Sequence, residues 1–350
     1  MSLSKNGIKV SILLSAFNTS VKIGRIMPPR TVLWEATRRC DFRCVHCGAY
    51  DGKNSEIDEI DTAKIKQIIE ELENIGVKYF FATGGEPFLR DDLMKMMSFA
   101  KSIGLKTGIS SNGFHIKDEH FEQIKKYVDT MQISVDGIGK THDDFRNKKG
   151  SFEAATNALR RIKENGKTRI CMTTTISDYN FDEINELYEL SKNISHGWRV
   201  VATMPIGRAK NNKKLFLSKE KMNELLLFIE KNSTKKNPIF ICENLGYLGR
   251  MEKLRKGEFF FCGAGILSCC IGADGNVRGC PELPAEKRFI EGDLDKDSFA
   301  YVWENGFSKF RENKLIPPQC FSCKYFGPCR GGCHVMQLEN MHCSVKRFDL

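Results

Sequence analysis

The cysteines constrain this chain more than any other feature. Fourteen stand in 350 residues, and they cluster: three fall within residues 40–47, nine lie beyond residue 261, and Cys171 and Cys242 stand alone. That is too sparse for a small disulfide scaffold. Short fixed spacings point instead to metal or iron–sulfur ligation in a reducing compartment. The first cluster reads Cys40-Asp-Phe-Arg-Cys44-Val-His-Cys47, a CxxxCxxC pattern. Three thiolates on one tight loop can hold three irons of a four-iron cluster and leave the fourth iron open, the mark of a catalytic rather than a structural site. A zinc loop is the competing reading. It needs a fourth ligand, and His46 sits between two of the cysteines, where its ring points away.

Composition narrows the class. Hydrophobic residues make up 41% and aromatics 10%, enough for a sizeable core and against disorder. The net charge of +10 permits an acidic or phosphorylated partner. Lys and Arg are nevertheless spread along the chain, with only short runs such as Lys210, Lys213, Lys214 and Lys235, Lys236, so a solvated surface is expected and nucleic acid is not. No apolar run reaches the roughly 18 residues of a membrane span. The stretch Val10–Phe17, after Lys5 and Lys9, reads as an N-terminal strand or arm rather than a signal peptide, and a cytoplasmic location is expected.

Strand and helix patterns alternate over residues 31–210. Thr31–Ala36 predicts a strand. Ile57, Ile60, Ile65, Ile68, Ile69, Leu72 and Ile75 recur at helical spacing up to Gly76. Strands at Val77–Ala82, Leu105–Ser110, Thr130–Val135, Arg169–Ile176 and Trp198–Met204 follow. They are separated by helices over Asp91–Ile103, Asp118–Tyr127, a segment capped by Ser151 and running to Asn165, and Phe181–Lys192. Repeated β/α units imply a parallel sheet with helices outside, and six fall short of the eight that close a full barrel. The expected fold is α/β: an N-terminal arm over 1–30, a partial (β/α)6 barrel over 31–210 and a helical linker over 211–257 with one helix capped by Ser218. A cysteine-rich region over 258–350 completes it, where Cys, Gly and Pro rise and the alternation stops.

The second predicted strand ends in Thr83-Gly84-Gly85-Glu86-Pro87, where glycines let a ligand approach the backbone and Glu86 can face a cation. With CxxxCxxC one unit earlier, this resembles the radical S-adenosylmethionine superfamily. The resemblance implies a 4Fe–4S cluster on Cys40, Cys44 and Cys47 whose open iron chelates S-adenosylmethionine, with Gly84, Gly85, Glu86 and Pro87 holding the amino group. Strand-end residues Ser111, Ser134 and Asp136 are implied to join the site, and Arg146 to pair with the carboxylate, as a guanidinium does bidentately. An exposed helix arginine is the plainer reading of Arg146. His46 departs from the residue usual before the last cysteine and is expected against the adenine side. The stretch Ser134–Thr141 imitates a P-loop, but Ser134 replaces its first glycine and Asp136 would repel phosphates.

The C-terminal cysteines run Cx12GxxxxC from Cys262 through Gly275 to Cys280, then CxxCxxxxxCxxxC over Cys320, Cys323, Cys329 and Cys333, then Cys343. Paired cysteines alone would suggest zinc ribbons. The longer string resembles the SPASM domain, which implies two auxiliary 4Fe–4S clusters and three in all. By that resemblance Cys262, Cys269 or Cys270, Cys280 and Cys333 hold the first auxiliary cluster, and Cys320, Cys323, Cys329 and Cys343 the second. Cys171, Cys242 and one of the adjacent pair are left over. Eleven ligating thiolates would cancel about half of the positive charge.

The superfamily resemblance implies reductive cleavage of S-adenosylmethionine to a 5′-deoxyadenosyl radical that abstracts hydrogen from a substrate carbon, with an electron donor such as flavodoxin or ferredoxin. SPASM members mostly modify peptides, so a ribosomal precursor peptide or protein side chain is the expected substrate, giving a crosslink, oxidation or epimerisation. A small-molecule cofactor precursor is the alternative, and a non-catalytic zinc protein a distant one. Pro281 stands where sulfatase maturases place an aspartate base, which counts against that activity. Trp198 and Pro205-Ile206-Gly207-Arg208 after it resemble SPASM peptide maturases, against the plain reading of a buried Trp and a turn.

Overall fold

The computed structural model describes residues 26–48, 58–255 and 260–350, together with 12, 15–17 and 19. Most of the expected N-terminal arm, and the expected start of the cysteine-rich region at 258, lie outside them. One sheet runs through the described residues, in the order β10-β9-β8-β1-β2-β3-β4-β5-β6-β7. Its strands are β1 (Thr31–Thr37), β2 (Tyr79–Gly84), β3 (Lys106–Ser111), β4 (Thr130–Ser134), β5 (Arg169–Ile176), β6 (Trp198–Ala202), β7 (Ile239–Ile241), β8 (Ser268–Ile271), β9 (Asn276–Arg278) and β10 (Ile290–Asp293).

Strands β1 to β7 pair in parallel, each with the next, as the alternation predicts for the first six. Intervening helices cover their outer face. The helix Thr62–Asn74 is capped by Asp61, whose side chain accepts from Lys64 N, and it buries Ile65, Ile68, Ile69 and Leu72. Those side chains join Val32, Trp34 and Phe80 of the strands in one continuous core. The Ser151–Asn165 helix differs from expectation at its start: Gly150 is the cap. The Asp143 carboxylate, not Ser151, accepts from the Phe152 and Gly150 amides, and Ser151 itself donates to Asp143.

Two features extend the sheet beyond six units. The segment after β6 carries the expected helix, Lys219–Asn232 with Ser218 as its cap, but also β7, which pairs with β6. On the other side β8 pairs in parallel with β1, then β9 and β10 turn antiparallel. The C-terminal cysteine region therefore grows out of the barrel sheet. A parallel register places Val32 opposite Cys269 and Leu33 opposite Cys270, so the two cysteines point to opposite faces. No helix of the described residues is long and apolar enough to cross a membrane.

Candidate active site and cluster loops

The C-terminal ends of β1 and β2 meet through glycine. Gly84 takes φ +135°, and a Cβ there would lie 2.3 Å from the Thr37 carbonyl oxygen. A Cβ on Gly85 would lie 2.3 Å from the Arg39 carbonyl oxygen. Both positions need glycine because the backbone leading to Cys40 runs directly over them. The Gly85 amide donates to Thr37 O (2.8 Å) and the Glu86 amide to Arg39 O (2.9 Å). Glu86 is fully buried. Its carboxylate accepts from Phe88 N at 3.2 Å, Ser111 Oγ at 2.8 Å and Asn112 N at 2.8 Å, tying the end of β2 to that of β3. Burial raises its pKa, against the pull of those three donors.

The loop after β1 carries Cys40, Cys44 and Cys47, all free thiols. It is held from the segments that follow β4 and β6, the helix Lys140–Arg146 and the turn Gly207–Ala209. The Val45 amide donates to Phe145 O at 3.0 Å, Arg208 Nε to Cys44 O at 2.7 Å, and the Arg208 amide to Cys47 O at 3.0 Å. Gly207, at φ +53°, lies so close that a Cβ would sit 2.2 Å from Cys47 O. The Gly207-Arg208 pair is thus a clamp on the cysteine loop, and Trp198, fully buried with its indole donating to Thr174 Oγ1 at 2.8 Å, is core. Val45 packs on a small cluster of Phe145, Ala209 and Leu215.

The three thiols act on one another. Burial pushes Cys40 up to about 12, helped by Cys44, Glu86 and Cys47. Burial likewise pushes Cys44 up to about 11, opposed by Arg146 and reinforced by Cys47. Three bare thiolates on one buried loop are costly, and a cationic iron core offsets that cost. Among the described residues no three or more His, Cys, Asp or Glu side chains gather as tightly as one metal ion requires. A four-iron cluster takes a thiolate at each of several irons and so spreads its ligands.

At the end of β4, Asp136 is fully buried and binds Arg146, with Nε at 2.7 Å and Nη2 at 2.6 Å from Oδ2. Its Oδ1 accepts from Thr175 N at 2.7 Å, and its amide donates to His142 Nδ1 at 2.9 Å. Arg146 is therefore a buried arginine paired within the chain, not a surface one. His46 stacks on Phe145 with ring centroids 4.5 Å apart and lies 3.8 Å from Asp136. Burial lowers His46 and His142 to about 4, so both rings are neutral. Ser134 ends β4, half-buried. Lys140 of the P-loop-like stretch binds Asp144 on the surface.

The C-terminal cysteines form two groups. One gathers Cys320, Cys323, Cys329 and Cys343: after burial, Cys343 and Cys323 raise Cys320, and Cys343 and Cys320 raise Cys329. In the other group Cys262 receives the His334 amide, the residue after Cys333, while Cys333 and Cys262 both act on Cys280. Cys269 and Cys270 are fully buried within the sheet. The strongest charges on them are Arg311 for Cys269, and Glu35 with Arg278 for Cys270.

Three residues escaped the sequence reading. Arg278 of β9 binds Glu35 of β1, both buried, across the seam between barrel and cysteine region. Glu282, next to Pro281, reaches the cysteine loop: a Cβ on Gly48 would lie 3.0 Å from its Oε2. Burial and then Glu35 push Glu282 up to about 7, against Arg278. A carboxylate two residues beyond Cys280 was the only signal available for it.

Residues 34–191 match the Radical SAM superfamily and residues 262–324 the SPASM iron–sulfur cluster-binding domain. Mycofactocin maturase MftC of Mycolicibacterium smegmatis is 31% identical over 87% of this chain and 78% of its own length. The AdoMet-dependent heme synthase of Methanosarcina barkeri is 27% identical, over 87% of this chain and 90% of its own. Among solved structures, Streptococcus suis SuiB bound to precursor peptide SuiA gives a TM-score of 0.72 at 17% identity, covering 92% of this chain and 76% of that one. The structure of anSMEcpe with bound AdoMet gives 0.72 at 17%, covering 92% and 96%. At that identity the two structures show the fold alone. The chain belongs to the radical SAM superfamily and carries a SPASM region; it is an enzyme whose cofactors are iron–sulfur clusters and S-adenosylmethionine.

Proposed function

We propose that this enzyme modifies a peptide or protein, in the manner of a maturase acting on a ribosomal precursor. The observation that supports it most is the 31% identity to a mycofactocin maturase across both the barrel and the cysteine region. Three 4Fe–4S clusters fit the donor set: Cys40, Cys44 and Cys47 at the barrel mouth, Cys262, Cys280 and Cys333 in a first auxiliary site, and Cys320, Cys323, Cys329 and Cys343 in a second. On this reading the barrel unit is residues 31–210 and the auxiliary unit 258–350, with 211–257 between them.

The bound cluster and S-adenosylmethionine supply a radical that removes hydrogen from a substrate carbon. The chain's own residues do the rest. Gly84 and Gly85 let the backbone leading to Cys40 pass directly over the end of β2, where a Cβ would collide with it. Glu86 and Pro87 follow, with Glu86 held inward by Ser111 and Asn112 to face the amino group of the cofactor. Ser134, Asp136 and Arg146 line the next strand end. Arg146, already bound to Asp136, is set to share its remaining donor with a carboxylate. Glu282 brings a carboxylate from the auxiliary region to the cysteine loop, close to where substrate would pass. The reductant is a small electron carrier of the flavodoxin or ferredoxin kind.

The test is anaerobic incubation with S-adenosylmethionine, a strong reductant and a short Cys-, Gly- or aromatic-rich peptide encoded beside this chain. A product lighter by two hydrogens, or a mass-silent epimer detected after hydrolysis, is expected. The heme synthase relative, matched over 90% of its length, favours a second reading, in which a tetrapyrrole is the substrate. If 5′-deoxyadenosine forms while every peptide returns unchanged and a tetrapyrrole is consumed, the second reading replaces the first.

A further inference from the structure

The first auxiliary group has three cysteines, Cys262, Cys280 and Cys333, near enough for their charges to act on one another, and a four-iron cluster has four corners. The adjacent pair on β8 is poorly placed to fill the vacancy. Cys269 points out of the barrel into the apolar core beside Val32 and Ile271, and Cys270 points the other way, into the charged seam of Glu35 and Arg278. Cys242 comes from elsewhere. It follows β7 directly, and its amide donates to Val200 O at 3.0 Å.

The residues after Cys242 fold onto the C-terminal cysteines. Asn244 and Leu245 share a small pocket with Met336, three residues beyond Cys333. Ser344 Oγ donates to Leu245 O. A Cβ on Gly246 would lie 3.4 Å from His342 O, and one on Gly332 would lie 2.5 Å from that same oxygen. Cys333 caps the helix His334–Gln337 in this junction, and Cys262 receives the His334 amide. The charges agree with the packing: Cys333 feels Cys262 and Cys242, and Cys262 feels Glu243.

Cys242 also has a partner suited to a ligating sulfur. Arg199 of β6 donates from Nη2 to Cys242 Sγ at 3.1 Å and to Glu243 Oε2 at 3.0 Å. A guanidinium on a ligating thiolate withdraws charge from the sulfur and tunes the cluster it serves.

We propose that Cys242 is the fourth protein ligand of the first auxiliary cluster, with Arg199 as its positioning residue, and that Cys269 and Cys270 are not ligands. This rests on the auxiliary-cluster reading above.

The test uses the full chain, reconstituted anaerobically, with iron and sulfide counted and electron paramagnetic resonance spectra recorded during a redox titration. Cys242→Ala should lose about 4 Fe, as Cys333→Ala does, or show one altered cluster spectrum. Cys269→Ala and Cys270→Ala should keep the full count and unchanged spectra. Arg199→Gln should keep all the iron and move one cluster, and only one, to lower potential. That variant leaves every cysteine in place, and it carries the test if Cys242→Ala does not fold. Full iron and unchanged spectra in Cys242→Ala overturn the proposal, as does loss of a cluster in Cys270→Ala or Cys269→Ala, or an Arg199→Gln titration identical to the parent. If Cys333→Ala also keeps every iron, the auxiliary-cluster reading itself has failed, a result distinct from the failure of Cys242 alone.

Discussion

Cys40, Cys44 and Cys47 share one loop, whereas Cys262, Cys280 and Cys333 are drawn from three separate places in the chain. The first set is positioned by backbone: the Gly84-Gly85 turn beneath it, the Gly207-Arg208 clamp above it and the Phe145 carbonyl beside it. The second set depends on tertiary structure. It forms only if β8 seats on β1, Arg278 reaches Glu35 and the helix His334–Gln337 docks near Cys262. A local ligand set closes a short loop at small entropic cost. A distributed one needs the whole seam to be folded before its thiols converge.

The comparison breaks most sharply at the barrel loop. Replacing Cys40, Cys44 and Cys47 together by Ala should abolish reductive cleavage of S-adenosylmethionine while leaving about 8 Fe of about 12 in the C-terminal region. The checks are 5′-deoxyadenosine by chromatography and iron by colorimetry. Survival of cleavage at the parental rate would remove the loop from the chemistry. Loss of all the iron would show that the two regions do not assemble independently.

A smaller effect is expected at the seam. Arg278 and Glu35 are both buried, and Arg278 also donates to Leu283 O at 2.7 Å. Removing one partner of a buried pair leaves an uncompensated charge and costs about 3–5 kcal/mol. Arg278→Met should therefore lower stability by that order and release auxiliary iron before barrel iron in a chelator challenge. The double variant Arg278→Met with Glu35→Leu should recover much of the loss. Equal release from both regions would mean that the seam braces the barrel loop as well.

The same contrast governs what could be read from residues alone. CxxxCxxC and Gly-Gly-Glu-Pro are legible because their constraints are local: ligand spacing on one loop and backbone bare of Cβ. The six parallel strands are legible because their apolar runs alternate with amphipathic helices. Strand β7 was missed because Ile239–Ile241 is too short to show a period, and β8 because Ser268–Ile271 is four residues long and half of it is cysteine. The helix start at Gly150 was misjudged because the capping carboxylate, Asp143, lies upstream across a turn. Arg208 stood in a recognisable stretch, yet its bond to Cys44 O spans more of the chain than any spacing rule reaches. Glu35 is paired with Arg278, and Cys242 with Arg199, by topology alone.

The smallest predicted effect sharpens the comparison from the barrel side. His142 is fully buried beside Asp136 and accepts the Asp136 amide at Nδ1, while its Nε2 has no hydrogen-bond partner among the described residues. Burial, then Arg146, lower its pKa to about 4 from an ordinary 6.5. The unfolded chain therefore takes up a proton near pH 6.5 that the folded chain refuses until about pH 4. Stability from this group is intact above pH 6.5 and falls as the pH drops toward 4, by about 1.4 kcal/mol for each unit inside that window. His46 shifts in the same direction, so the parent alone cannot apportion the loss. His142→Gln keeps an acceptor for the Asp136 amide and removes the titrating ring. Between pH 7.5 and pH 5.5 its unfolding free energy should fall by about 1.4 kcal/mol less than that of the parent, measured by denaturant titration at both pH values. A variant and parent with equal pH slopes would show that His142 gains its proton as easily in the folded chain as outside it. The Asp136–His142–Arg146 group would then be open to water in solution, not the closed buried cluster that its lack of exposure describes.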